Sequence, residues 1–248
     1  MTQPTILGAG TNSKAYQADN NGTGAGAERV FSNVAIPANA NTVILLCGID
    51  EEEDSLTINS LTWSGLSGEV EIIDISISAT GNDYRSTRLG IYDVTGCGAG
   101  DATITAALTG ADTDAAILGV VCTDGFIESF QSSPDRLTDP AEVKTFSGNM
   151  QNNIFVFAGI KDKSLSDFAF TGTGVSDIFK TDVTGNGCSA VAALQATTSA
   201  SGVKEINYAS TGNIDDMSSV SLLISSQPNA FADIDPRGDI ISHDIITN

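Results

Sequence analysis

The chain has 248 residues, with 31 acidic against 11 basic side chains and a formal net charge of −20. That length can bury a sizeable core without disulfide or metal staples, and a surface this acidic repels phosphate backbones and anionic lipid, which argues against nucleic-acid and membrane partners. Hydrophobic residues reach 41% while charged residues stop at 17%; Gly, Ser, Thr, Ala and Asn fill the difference, and these suit turns and the solvent faces of strands.

The opening MTQPTILGAG lacks the basic stretch and apolar run of a secretory signal, and no apolar run approaches the ~20 residues that cross a bilayer. Residues 1–28 are polar and Gly-rich, with Ile6, Leu7 and Tyr16 the notable apolar groups. They read as an N-terminal arm, either flexible or ordered against a neighbouring subunit.

Strands begin at Arg29. RVFSNVAIP places Val30, Ser32, Val34 and Ile36 on one face and stops at Pro37. Asn41 to Ile49, NTVILLCGI, is a continuous apolar run of the buried type. Ser55 to Trp63 carries two overlapping alternations, Leu56 with Ile58 and then Leu61 with Trp63, which predicts a bulge near Asn59. Gly68 to Ser78 alternates at Ile73, Ile75 and Ile77.

The stretch from Tyr84 to Phe126 gives three strands in succession: Arg85 to Val94, Ala102 to Leu108 with Ile104, Ala106 and Leu108 on one face, and the apolar run Ala115 to Cys122. A turn-rich link follows, with Pro134 and Pro140, and reads as the boundary between two halves.

The second half repeats the grammar. Glu142 to Phe146 leads to Asn152 to Ile160, NNIFVFAGI, much like NTVILLCGI. Ser166 to Thr171, Val175 to Lys180, Cys188 to Thr197, Val203 to Tyr208 and Met217 to Ser225 complete it. Of these, Cys188 to Thr197 is the one plausible short helix and reads better as a strand. About fourteen strands at this spacing predict an all-β fold, an antiparallel β-sandwich. The expected domains are the arm 1–28, a body 29–228 with candidate halves 29–130 and 141–228, and a C-terminal docking tail 229–248. In that tail Ile234, Ile240, Ile241, Ile245 and Ile246 are too apolar for a free end and are the candidate assembly contacts.

Chemistry-bearing motifs are sparse. A hydrolase triad needs a base, usually His, and the single histidine, His243, sits in the tail. Aromatic content of 6% with one tryptophan is thin for a glycosidase cleft. The chain therefore reads as a non-enzyme. Cys47, Cys97, Cys122 and Cys188 are scattered, with no C-x-x-C pair, and read as free, mostly buried thiols of a protein folded in a reducing cytoplasm. The run Asp50–Asp54 lacks the alternation and glycines of a calcium loop, and Asp233 to Asp239 places Arg237 where a ligand would stand. No metal or cofactor is expected.

The order of features resembles a β-sandwich module of tailed-bacteriophage virion proteins and some bacterial surface proteins. The matching landmarks are Ile36-Pro37-Ala38-Asn39-Ala40-Asn41 before the strand Val43 to Gly48, Ile58 to Gly65, Arg88-Leu89-Gly-Ile91-Tyr92-Asp-Val94, Gly100 to Thr105, and Ala116 to Phe126. The resemblance covers about four fifths of the chain and carries no catalytic residues. It implies a jelly-roll-like sandwich on a virus particle, assembled in the host cytoplasm: a capsid decoration (cement) protein, fibre or tail component. Its expected partners are other virion proteins and further copies of itself, with a trimer as first expectation. The alternative is a receptor- or glycan-binding adhesin module, with Trp63, Tyr84 and Tyr92 as the candidate glycan contacts.

Overall fold

The computed structural model describes residues 3–15, 28–51, 57–78, 84–109, 115–135, 141–148, 152–161, 168–182, 189–196, 202–209, 217–227, 233–234 and 240–241. The fold is all-β and antiparallel, with no helix among the described residues. The first half contributes β1 Ile6–Ala15, β2 Glu28–Ile36, β3 Thr42–Glu51, β4 Thr57–Ser64, β5 Val70–Ser78, β6 Tyr84–Asp93, β7 Gly100–Thr109 and β8 Ala115–Thr123. The second contributes β9 Phe126–Asp135, β10 Ala141–Gly148, β11 Ile154–Lys161, β12 Ala169–Thr171, β13 Val175–Asp182, β14 Ser189–Ala196, β15 Gly202–Ala209 and β16 Met217–Ser225. A two-stranded hairpin, β17 Asp233–Ile234 with β18 Ile240–Ile241, follows.

The two halves have the same topology displaced by eight strands. The first forms a five-stranded sheet β1-β8-β3-β6-β5 and a three-stranded sheet β2-β7-β4; the second forms β9-β16-β11-β14-β13 and β10-β15-β12. Each is a jelly-roll-like sandwich in which the fifth strand pairs with the sixth instead of the fourth. The five-stranded sheets stack on each other in opposite order, with β1 over β13, β8 over β14, β3 over β11, β6 over β16 and β5 over β9. This is a pseudo-twofold arrangement within one chain, four sheets deep.

That stack explains the continuous apolar runs. Antiparallel sheets usually bury one face, but here both five-stranded sheets bury two. In β3, Val43, Leu45, Cys47 and Ile49 point into the core of the first sandwich, while Ile44 and Leu46 point into a central core shared by both halves. In β11, Ile154, Val156, Ala158 and Ile160 face the central core, and Phe155 and Phe157 face the core of the second sandwich. Burial of each Val, Leu, Ile or Phe among them contributes roughly 1.5–3 kcal/mol. Where the sheets approach closely, β8 carries Gly119, whose added Cβ would lie 3.1 Å from the Ala190 Cβ and 3.3 Å from Leu46 Cδ1.

Two expectations change. Residues 6–15 are not an arm: β1 pairs with β8 along its length. The junction between halves is the pair Asp124–Gly125 and not the Pro-rich link, because residues 126–135 form β9 against β16. Pro134 is tolerated there because β9 is an edge strand, where a missing N–H costs no ladder bond. The junction is pinned from several sides. The Thr5 amide donates to Asp124 Oδ1 at 2.6 Å, Asn41 Nδ2 to Asp124 O at 2.5 Å and Thr42 Oγ1 to Gly125 O at 2.9 Å. The bulge expected near Asn59 is present as a register shift between Ile58 and Ser60, and residues 189–196 are a strand.

Candidate functional site

Three places in the fold could carry function. The first is the aromatic pair expected as a glycan contact. Trp63 on β4 and Tyr92 on β6 meet edge-to-face, with ring centroids 5.1 Å apart. Tyr92 is only 4% exposed and Trp63 packs against the same core. Gly90 makes this possible, since its missing Cβ leaves room for the Tyr92 ring, whose hydroxyl would lie 2.8 Å from such a Cβ. Burial, and then the charge of Glu71, push the Tyr92 phenol up to about 12, so it stays neutral and unreactive across ordinary pH. These two rings fill the end of a core and leave no free Tyr92 face for a sugar. The side chain of Tyr84 lies outside the described residues.

Beside this pair, the three-stranded sheet is too narrow to cover the outer face of β5 and β6, and a polar strip fills the margin. Arg88 crosses it: Nη1 donates to Ile58 O at 2.7 Å and Asn59 O at 2.6 Å, the two carbonyls at the β4 bulge, and Nη2 pairs with Asp74. Arg88 therefore satisfies the carbonyls that the bulge takes out of the ladder. Burial lowers its pKa from the usual arginine value, yet an arginine remains charged at any ordinary pH. The strip is a structural clamp with acidic neighbours. Among the described residues no three His, Cys, Asp or Glu side chains gather into a metal site. Of the acidic run, Asp50 and Glu51 end β3 and 52–54 lie outside the described residues, as do Arg237 and His243.

Two buried thiols are inert by the same physics, and Cys188 lies outside the described residues. Burial pushes Cys47 and Cys122 each up to about 12, leaving almost no thiolate to act as a nucleophile. Cys97 is free and half-exposed, its thiol raised by burial and by Glu69 and Asp93.

The second place is the C-terminal segment. Ile234 pairs with Ile240, and Asp233 with Ile241, in the β17–β18 hairpin, a separate sheet from the four of the stack. Ile245 and Ile246 lie outside the described residues.

The third place was not legible in the sequence. Between the edge strands β1 and β2 of the first sandwich lies a groove of about 320 Å³, lined by Gly8, Gly10, Thr11, Asn33, Pro37 and Cys122 among others. Gly8 and Gly10 pair with Cys122 and Val120, so both belong to the β1 face that looks into the first core. They contribute no side chain to it. Nothing lies within 4 Å of where a Gly10 Cβ would be. The only sequence signal was the Gly-Ala-Gly run itself, indistinguishable from a turn.

No protein-family model, no curated protein and no solved structure matches the chain.

Proposed function

We propose that the protein is a non-enzymatic structural component of a tailed-bacteriophage virion, a decoration (cement) protein displayed on the capsid exterior. The body would be the displayed mass and the C-terminal segment the anchor. The observation that carries this reading is the separation between them: among the described residues, sixteen strands close on one another in four stacked sheets, while Asp233–Ile234 and Ile240–Ile241 of the tail form their own two-stranded hairpin. The strand order supports the jelly-roll-like resemblance from which the reading starts. The deep burial of Cys47, Cys122 and Tyr92, which suppresses their reactivity, fits a role without chemistry. Because residues 6–15 belong to the body, the anchoring in this reading falls to residues 229–248 alone. Other virion proteins and further copies of the chain are the partners in this reading.

The test is quantitative mass spectrometry of virions purified from the source culture. Hundreds of copies per portal ring are expected; a handful would move the protein to a tail tip, and none would overturn the reading. Deleting residues 229–248 should abolish particle binding while leaving the β-rich circular dichroism spectrum intact.

A further inference from the structure

The groove beside β1 is an unfilled margin of the first core, and its shape restricts what fits. Its lining carries no charged side chain, and its inner side is formed by the buried Val120 and Cys122. An occupant must therefore be uncharged and apolar at that point. One wall is the outer edge strand β1, which has no strand partner beyond it among the described residues. An occupant that is itself extended can hydrogen-bond to that edge while a side chain enters the open space above Gly10; above Gly8 that space is taken by Pro37.

The two halves make this edge unusual. Its counterpart β9 carries Glu128, Pro134 and Asp135, residues that discourage pairing; a register break near the start is common to both edges, at Ile6–Gly8 in β1 and at Ile127–Ser129 in β9. β2, across the groove, is interrupted by a bulge between Phe31 and Val34, with Asn33 at φ 59°. From Gly8 to Ser13, β1 has neither proline nor charge and runs in unbroken register with β8. Leu7, next to Gly8, is among the few large apolar side chains left exposed. One edge has been left open where its twin is closed.

We propose that this groove receives the β17–β18 hairpin of a second copy, with Ile240 or Ile241 seated over Gly10. The hairpin is already extended, its sequence is β-branched and apolar at Ile234, Ile240 and Ile241, and among the described residues its two strands pair with no third strand. The exit of the tail also lies close by. Gly125 packs against Pro4, Ile224 and the Ser225 carbonyl, so the last body strand ends beside the residues that lead into β1. Copies meeting at this end of the molecule can exchange tails reciprocally over a short distance, as closed symmetric assemblies require. The proposal rests on the tail being an assembly segment and names its receptor.

The experiment uses the full chain. Sedimentation of the wild-type protein should give a closed oligomer. The variant Gly10→Val, whose Cβ would meet nothing within 4 Å, should sediment as a monomer with an unchanged or higher thermal midpoint. A synthetic peptide of residues 229–248, added in excess to wild type, should dissociate the oligomer and slow amide exchange at residues 8–11; with Gly10→Val it should do neither. A monomeric wild type, or an oligomer that survives both Gly10→Val and the peptide, would overturn the inference. Particle binding is scored separately on the same samples. Assembly lost at Gly10 in a protein absent from virions would sink the virion reading and keep the groove. Virion protein whose oligomer ignores Gly10 would do the reverse.

Discussion

The two jelly rolls share one topology and fill it with different chemistry. The first encloses a broad aliphatic core, with Phe31, Trp63 and Tyr92 its rings. The second encloses a smaller core built from rings: Phe157 meets Phe170 at 5.6 Å and Tyr208 at 5.0 Å, and Phe168 stacks on Tyr208 at 5.7 Å. The margin differs as well. In the first half β6 puts the charged Arg88 on the face turned to the three-stranded sheet, whereas its counterpart β14 puts Val191, Ala193 and the neutral, buried Gln195 there, the last accepting from the Glu205 amide. A strand order evidently tolerates either filling provided volume and burial are conserved. What the halves cannot vary independently is the central core, to which both contribute.

The contrast can be tested from its strongest point. Phe157→Ala removes the ring at the centre of the aromatic cluster and should cost about 3–5 kcal/mol, read by urea unfolding. Trp63 is the single tryptophan and lies in the first half, so its fluorescence reports whether the loss is shared. Because the central core couples the sandwiches, the Trp63 transition should move to lower urea together with the far-ultraviolet circular dichroism. A Trp63 transition left in place would show two independent units.

Next in size is Arg88→Ala, expected to cost roughly 2–3 kcal/mol, since it strips the bulge carbonyls of their donor and leaves Asp74 without its counter-charge. The paired variant Arg88→Met with Asp74→Leu should recover part of that loss by giving the first half an apolar margin at this point. No recovery would mean that the bulge carbonyls, and not the ion pair, dominate.

At the centre, Gly119→Leu should cost about 1–3 kcal/mol by overpacking, with both halves affected equally. A loss confined to the Trp63 signal would contradict the shared core.

Alkali gives the smallest effect and separates the halves by chemistry. Cys47 and Cys122 both lie in the first core, with folded pKa values near 12 against an ordinary 9.0. The folded state holds those protons while the unfolded chain releases them. Their contribution is therefore complete below pH 9 and is lost as pH rises from 9 to 12. Denaturant midpoints should fall through that window, and Cys47→Ala with Cys122→Ala should flatten most of the decline. Tyr92, also raised to about 12, should account for a residue of it above pH 10.

Fourteen of the sixteen body strands were legible in the sequence, and the two that were not are topological twins, β1 and β9. Both are edge strands, ILGAGTNSKA and FIESFQSSPD. With one flank unpaired and little core to cover, neither needs apolar alternation, and Gly or Pro there reads as an arm or a linker. The likeness of NTVILLCGI to NNIFVFAGI likewise revealed a repeat but misleads on orientation. Aligning Gly48 with Gly159 sets Val43 against Ile154, yet Val43 faces an outer core and Ile154 the central one. A single residue of offset exchanges the faces of a strand.

The sequence by itself determined the class, because period-two alternation and turn residues act locally. It also marked which strands are buried on both sides, since a continuous apolar run has no solvent face. Only the tertiary structure decided which sheet covers each of those faces, that two sandwiches share a central core, and that Trp63 and Tyr92 fill a core. The tertiary structure alone also opened a groove at Gly8 and Gly10. Those outcomes depend on which distant strands meet, and a missing side chain leaves a space only when its surroundings are in place.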